Sequence, residues 1–151
     1  MKLTSRGRYA VTAMLDMALR PQGERVTLNE ISQRQGISLS YLEQIFAKLR
    51  RANLVSSLRG PGGGYTLAKP AAEITVGQII QAVDELMDAR YCQGGRNCHN
   101  GHECLSHMLW NDLSIKIETY LHGISLQNLI DQRRAGMSGR VEVSFAEGVR
   151  Q

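Results

Sequence analysis

The sequence lacks the features that would place it in a membrane or in a disulfide-stapled secreted fold. Its longest stretch without Asp, Glu, Lys or Arg is Thr119–Ile130, whose 12 residues are too few to span a bilayer. The number of cysteines, three, is odd, so they cannot all pair in internal disulfides. The apolar run Tyr9–Leu15 follows three basic residues as in a signal peptide, but Asp16 interrupts it and no small-residue cleavage site follows. We expect a folded cytoplasmic protein that keeps its cysteines reduced and does not associate with membranes.

Acidic residues are scarce in the first part of the chain only. The 151 residues carry 18 basic and 14 acidic side chains, a net charge of +4. Residues 1–70 hold 11 of the basic and 4 of the acidic side chains, a net of +7, whereas residues 71–151 have a net charge of −3. A basic module that binds a polyanion, joined to a part with another task, is therefore expected.

The first part of the chain begins with two predicted helices. Apolar residues at helical spacing predict a helix over Ser5–Leu19, which Pro21 ends. A second helix begins at Thr27, where Glu30 completes a capping box, and it ends at Gly36 in a left-handed conformation. A tight turn at this glycine would lead directly into the next helix, as in a helix-turn-helix.

A third helix and a hairpin follow. The helix begins at Ser38 or Ser40, and its inward face comprises Leu39, Leu42, Ile45, Phe46 and Leu49. Two short strands, Val55–Leu58 and Tyr65–Leu67, are joined by the glycine-rich residues 59–64, which predict a flexible tip. A hairpin directly after a helix-turn-helix is a wing, so the expected fold is a winged helix, mainly α with a small β-hairpin.

The pattern then returns to helix. Thr75 caps a fourth helix, and a polar loop follows over Asp88–Glu103. A long helix is predicted from about Cys104 to His122. Apolar residues recur along it every three or four positions, the spacing of a seam between paired helices. The candidates for a dimer interface are Trp110, Leu113, Ile117 and Tyr120.

The last element is a short helix, capped by Ser125 and ending near Gly136. Three regions result. Residues 1–70 are the winged helix-turn-helix, residues 71–136 are helical and serve dimerisation and metal binding, and residues 137–151 show no sustained period and are expected to be a disordered tail.

The outward face of the third helix and the tip of the wing are the candidate DNA-reading surface. Hydroxyl, amide and carboxylate groups on a helix can bond base edges, and a guanidinium at a narrow tip suits the minor groove. The candidate residues are Ser38, Ser40, Tyr41, Glu43, Gln44, Arg59, Gly60 and Pro61. Glu43 repels phosphate, so as a reader it would select among sequences; alternatively it only completes a capping box with Ser40. The tip glycines, in turn, could serve only the turn; without a Gly-Lys-Ser/Thr ending they do not predict nucleotide binding.

Three cysteines and one histidine form a second candidate site, Cys92, Cys98, Cys104 and His107. Cys104 and His107, three residues apart at the start of a helix, would face one metal centre. Four such ligands suit either a structural Zn²⁺ or a [2Fe–2S] cluster, and the spacing C-x5-C-x5-C-x2-H leaves both open. His99 and His102 are possible substitute ligands, which we expect to be solvated.

Four segments together resemble the IscR family of bacterial iron–sulfur cluster regulators. They are LTSRGRYAVTAMLD in the first helix, ISLSYLEQIFAKLR in the third, SSLRGPGGGY in the wing and CQGGRNCHNGHECLSH in the cysteine window. The resemblance covers roughly residues 1–135 and leaves out the tail.

The resemblance implies a homodimeric transcription factor, not an enzyme, that binds double-stranded promoter DNA. It implies a [2Fe–2S] cluster on Cys92, Cys98, Cys104 and His107, received from an iron–sulfur assembly scaffold. In the family, the cluster-bound dimer represses the operon for cluster assembly, and the cluster-free dimer binds a second class of promoter. Two alternatives are a winged-helix regulator with a structural zinc and an iron–sulfur electron carrier or enzyme, and the basic helix-turn-helix argues against the latter.

Overall fold

A computed structural model of the chain describes residues 5–83, 96 and 99–138. Within them, six α-helices accompany one two-stranded hairpin, in the order α1 Ser5–Ala18, α2 Leu28–Gln35, α3 Leu39–Arg51, β1 Val55–Leu58, β2 Gly64–Leu67, α4 Val76–Ala82, α5 His107–His122 and α6 Leu126–Ser138. A 3₁₀ turn over Ala71–Glu73, which the sequence did not predict, leads from β2 to α4. The predicted winged helix is confirmed.

The start and end of α2 are set by residues that the sequence identified. Thr27 Oγ1 accepts from the backbone N–H of Glu30 at 3.2 Å, and the Glu30 carboxylate accepts from the N–H of Thr27 at 2.8 Å. The second of these bonds lowers the pKa of Glu30 below its ordinary value. Gly36 has φ 67° and donates to the carbonyl of Ser32, so the predicted left-handed end is also confirmed.

Ser38 is the N-cap of α3, because its hydroxyl accepts from the backbone N–H of Tyr41 at 3.2 Å. Ser40 is therefore the second residue of the helix. The predicted inward residues Leu42, Ile45, Phe46 and Leu49 are fully buried, but Leu39 is 41% exposed. The prediction for Leu39 was wrong because this residue is the first of the helix and lies at the edge of the core.

The wing is an antiparallel hairpin whose register runs from Val55 opposite Leu67 to Leu58 opposite Gly64. A third segment joins it, since Val26, in the α1–α2 loop, exchanges two backbone hydrogen bonds with Tyr65 at 2.9 and 2.8 Å. A side chain on residue 64 would come within 2.9 Å of the Val26 carbonyl oxygen, so this close approach requires glycine.

One core spans both portions of the chain. Its most completely buried side chains are Phe46, Met14, Ile31, Leu42, Ile45, Leu49, Ile74, Ile79, Leu126 and Val83. The last four of these, Ile74, Ile79, Leu126 and Val83, come from beyond residue 70, where α4 and α6 pack against α1 and α4 also packs against α3. Burial of each large side chain contributes about 1.5–3 kcal/mol, so α4 and α6 stabilise the helix-turn-helix directly.

α5 begins at His107, three residues later than predicted. Cys104 is not on the helix; it opens a turn in which the N–H of His107 donates to the Cys104 carbonyl at 3.1 Å. α6 is capped by Ser125 as predicted, through its bond from the N–H of Asn128, and it ends at Ser138. In the described ranges no helix is long and apolar enough to cross a membrane.

Candidate functional site: DNA-reading surface and cysteine window

The outward face of α3 carries the side chains that the sequence singled out. Ser38, Ser40, Glu43 and Gln44 are exposed, and Tyr41 is half-buried. Because Ser38 caps the helix, Glu43 lies in the second turn and is not the third residue of a capping box with Ser40. The capping alternative for Glu43 is therefore wrong, and Glu43 lies on the exposed face of α3.

Two tyrosines connect this face to α1. The rings of Tyr9 and Tyr41 meet edge to face, with centroids 5.8 Å apart and planes at 88°. Such a pair contributes about 0.5–1.5 kcal/mol beyond its burial. It packs α1 against the N-terminal turn of α3, and tyrosine hydroxyls are among the groups that bond DNA phosphates.

The wing tip, which its glycines predict to be flexible, contains a hydrogen-bonded turn. The N–H of Gly63 donates to the Gly60 carbonyl at 2.8 Å, with Pro61 and Gly62 between them. Gly62 has φ 75°, which is the value a type II turn requires after proline. Arg59, Gly60 and Pro61 are all exposed at the end of the hairpin.

Arg25 is a residue of this surface that sequence reasoning missed. Its Nη1 donates to the carbonyl oxygen of Gly62 at 2.7 Å, from a position 37 residues away in the chain. No local pattern distinguishes Arg25 from the other ten basic residues of the first 70. Only the pairing of the α1–α2 loop with the wing brings it there.

A second missed group lies between α1 and α2. Arg34 Nη2 and Nε donate to the two oxygens of Asp16 at 2.7 and 3.0 Å, and Gln35 Nε2 donates at 2.7 Å. Asp16 is only 4% exposed. Burial raises the pKa of Asp16, but the hydrogen bonds from Arg34 and Gln35 and the charges of Arg34 and Arg20 outweigh it, and the pKa lies below its ordinary value of 3.8. This network fixes α2 on α1 and so orients the helix-turn-helix.

The cysteine window is described in part. Cys92 and Cys98 lie outside the described residues. Cys104 is half-buried and its Sγ lies 3.8 Å from the Ser106 hydroxyl; His107 is 5% exposed at the first position of α5. The turn between them links the two backbones, and the expectation that both side chains face one metal centre stays a prediction. A thiolate and a neutral imidazole are the donors that iron–sulfur centres and zinc both accept, so the residues present fit a metal group.

His99 and His102 form a tight hairpin of their own. Their backbones exchange two hydrogen bonds, at 2.9 and 2.8 Å, around Asn100 and Gly101, which both have positive φ. Both imidazoles are exposed, in agreement with the expectation that they are solvated.

α5 presents a broad apolar surface. Of the predicted seam, Trp110 and Tyr120 are exposed, by 39% and 67%, and Leu113 and Ile117 are half-buried. Three further exposed residues of α5, Met108, Leu109 and Ile115, were not in the prediction, and Leu105 is exposed just before the helix. The apolar spacing of three and four residues predicts only part of this exposed apolar surface. The buried residues of α5 are polar, namely His107 and Ser114.

A protein-family model described as "Rrf2: Iron-dependent Transcriptional regulator" matches residues 3–132. The chain belongs to the Rrf2 family. As an Rrf2 member it is a DNA-binding transcription regulator and not an enzyme. The sequence is similar to the HTH-type transcriptional regulator IscR of Aliivibrio salmonicida, with 56% identity over 147 residues, 97% of this chain and 88% of that protein.

Two solved structures share the fold. The structure described as T. potens IscR has a TM-score of 0.75 at 31% identity and covers 93% of this chain and 94% of its own. CymR, described as the global cysteine regulator of B. subtilis, has a TM-score of 0.74 at 30% identity and covers 87% and 98%. The resemblance to the IscR family that the four sequence segments indicated is thereby confirmed.

Proposed function

We propose that this Rrf2 regulator is a cytoplasmic homodimer that senses iron–sulfur cluster status through a [2Fe–2S] cluster held by Cys92, Cys98, Cys104 and His107. The observation that carries the proposal is the turn before α5, in which the His107 N–H donates a hydrogen bond to the Cys104 carbonyl while the His107 side chain is buried. Support also comes from the name IscR among relatives more than 50% identical.

DNA would be read by two elements of each protomer. α3 would enter the major groove with Ser38, Ser40, Tyr41, Glu43 and Gln44. The wing would enter the minor groove with Arg59, Gly60 and Pro61, where the negative potential favours a guanidinium. A carboxylate can accept a hydrogen bond from cytosine N4, but it repels phosphate. Glu43 would therefore discriminate between promoter classes without increasing the affinity for DNA of any sequence.

The dimer would form along α5. Trp110, Leu113, Ile117 and Tyr120 are the proposed contacts, and the wider exposed apolar surface supports a helix-to-helix interface. A two-fold dimer would present two copies of α3 to half-sites about one helical turn, roughly 34 Å, apart.

The chain's own contacts connect the cysteine window to the reading helices. α5 packs against α4, and the turn after α5 is bonded to the start of α4, where the Val76 N–H donates to the Ile124 carbonyl at 2.8 Å. At the other end of α4, Arg6 of α1 donates to the Val83 carbonyl at 3.2 Å. The fraction of protein with a bound cluster would depend on how many clusters the cell has available. A coupling of about 1–3 kcal/mol through these contacts would suffice to change the choice of promoter.

In the proposed cycle, the regulator receives its cluster from the iron–sulfur assembly scaffold and then represses the operon for cluster assembly. Without it, the dimer binds a second promoter class. His107 is a neutral ligand that is more easily protonated or displaced than a thiolate, so the proposed site would release its cluster readily.

The test begins with anaerobic purification, a visible spectrum and analysis of iron, sulfide and zinc per chain. About two irons and two sulfides per chain would agree with the proposal. A colourless protein with one zinc per chain would instead identify a structural zinc site. A footprint on the assembly-operon promoter, with and without cluster, then checks the DNA side; an electron carrier would leave no sequence-specific footprint.

A further inference from the structure

The wing is held by a loop outside it at two places, on β2 and at the tip. On β2, Val26 forms two backbone hydrogen bonds with Tyr65, one pair from the tip end of the hairpin. The residue before it, Arg25, reaches the tip, where Nη1 donates to the Gly62 carbonyl at 2.7 Å. A bond from a charged donor is about twice as strong as one between neutral groups. The α1–α2 loop is therefore a brace that runs along the hairpin.

The bond depends on the shape of the tip. Gly62 has φ 75°, and Nη1 of Arg25 lies 3.6 Å from the point where a Cβ on this residue would be. The guanidinium thus packs directly over the backbone of the turn closed by Gly60 and Gly63. Arg59 is the residue that enters this turn, so its direction depends on how the turn is held.

We propose that Arg25 is a positioning residue for DNA binding, which fixes the wing tip through Gly62 so that Arg59 points into the minor groove. The role depends on the proposed contact of the wing with DNA. An isolated two-stranded hairpin is marginally stable, and glycines lose the most conformational entropy when they become ordered. A brace that orders the tip beforehand lowers this cost of binding.

A double-mutant cycle on the full-length dimer tests the proposal. The probe is a duplex that the wild type selects from a randomised pool, and the variants are Arg25→Ala, Arg59→Ala and both together. We expect Arg25→Ala to weaken binding about 5–10-fold, Arg59→Ala to weaken it more, and the double variant to bind like Arg59→Ala alone, because Arg25 acts through Arg59. Arg133→Ala, which removes the same charge from the exposed face of α6, is the matched control.

Two further readouts separate positioning from direct contact. Without DNA, Arg25→Ala should speed amide exchange of Gly63, whose N–H closes the turn. Arg25→Lys, which can still donate to the carbonyl, should recover part of the affinity.

Two results would show that Arg25 binds a phosphate instead. The affinity losses of the two single variants would add up in the double variant, and Arg25→Ala would reduce the slope of log K against log salt by about 0.9 in magnitude. A loss in Arg59→Ala with none in Arg25→Ala would overturn the positioning role alone. No loss in either variant would overturn it together with the proposed DNA contact of the wing.

Discussion

Gly77 of α4 and His122 of α5 are in such close contact that a methyl group on residue 77 would overlap the imidazole ring. His122 is held there by a 3.0 Å hydrogen bond between its Nδ1 and the Glu118 carbonyl. This contact joins the helix that carries the proposed dimer surface to the helix that packs on α1 and α3. The absence of a side chain at residue 77 therefore sets the distance between α4 and α5.

We expect Gly77→Ala to lower the free energy of unfolding by about 1–2 kcal/mol, because overpacking outweighs the better helix propensity of alanine. Adding His122→Ala removes the overlap, so the double variant should be more stable than Gly77→Ala alone. Urea unfolding of the three proteins measures this. Equal stability of the single and double variants would contradict the proposed contact.

Asp16→Asn should lower the free energy of unfolding by about 2 kcal/mol near pH 7, since it removes the charge that accepts from Arg34 and Gln35. The pKa of Asp16 is lower in the folded chain than its ordinary 3.8, so its stabilising effect is complete above that value. The difference between wild type and variant should stay constant down to about pH 5 and shrink as the pH falls through 4 and below. Urea unfolding at pH 7, 5, 4 and 3 checks this, with Glu73→Gln as an exposed control.

Glu43→Ala should relax the selectivity between the two promoter classes more than it changes total affinity. The carboxylate repels phosphate, so its loss permits sites that the wild type rejects; about 1–3 kcal/mol of discrimination is typical of one base contact. Binding titrations on both promoters measure the ratio, and Glu73→Ala controls for the lost charge. A uniform fall in affinity on all sequences would show that Glu43 does not read bases.

His107→Cys should retain a cluster and release it more slowly, because a thiolate is a stronger ligand than a neutral imidazole. The decay of visible absorbance after addition of a chelator, under anaerobic conditions, gives the rate. His102→Ala removes an exposed imidazole from the same window and should leave the rate unchanged. Unchanged release from His107→Cys would count against His107 as a ligand.

Tyr120→Glu should weaken dimerisation by about tenfold or more, since it places a charge on the apolar surface of α5. Sedimentation at micromolar concentration measures the dimer fraction. Gln33→Glu adds the same charge to the exposed face of α2 and should not change it. A dimer that persists in Tyr120→Glu would move the interface away from this part of α5.

The features that the sequence predicted well are those decided within a few residues. The capping box at Thr27, the cap at Thr75 and the left-handed end at Gly36 are predictable because each depends on residues only a few positions apart. The reciprocal bond, from the Thr75 N–H to the Gln78 side chain, is found only in the structure. The choice between Ser38 and Ser40, and the start of α5, were not settled by pattern. Ser38 and Ser40 can each cap the same helix, and at the start of α5 the N-cap residue Ser106 makes no side-chain capping bond that would mark the position.

Contacts between distant segments could not be predicted at all. Asp16 was noticed only as an interruption of an apolar run, and nothing in its neighbourhood indicates Arg34 as its partner. Arg25 meets Gly62 only because Val26 pairs with the wing. Such partners depend on which elements pack together, which a single sequence does not specify.

The core that crosses residue 70 has a consequence for how this protein can be divided. Ile74, Ile79 and Leu126 complete the packing around α1 and α3, and Leu126 donates its N–H to the Ile74 carbonyl. A fragment cut after the wing would leave the inner faces of α1 and α3 open to water. A hybrid regulator built from this chain should therefore keep α4 and α6 together with the helix-turn-helix, because residues of these two helices complete its core.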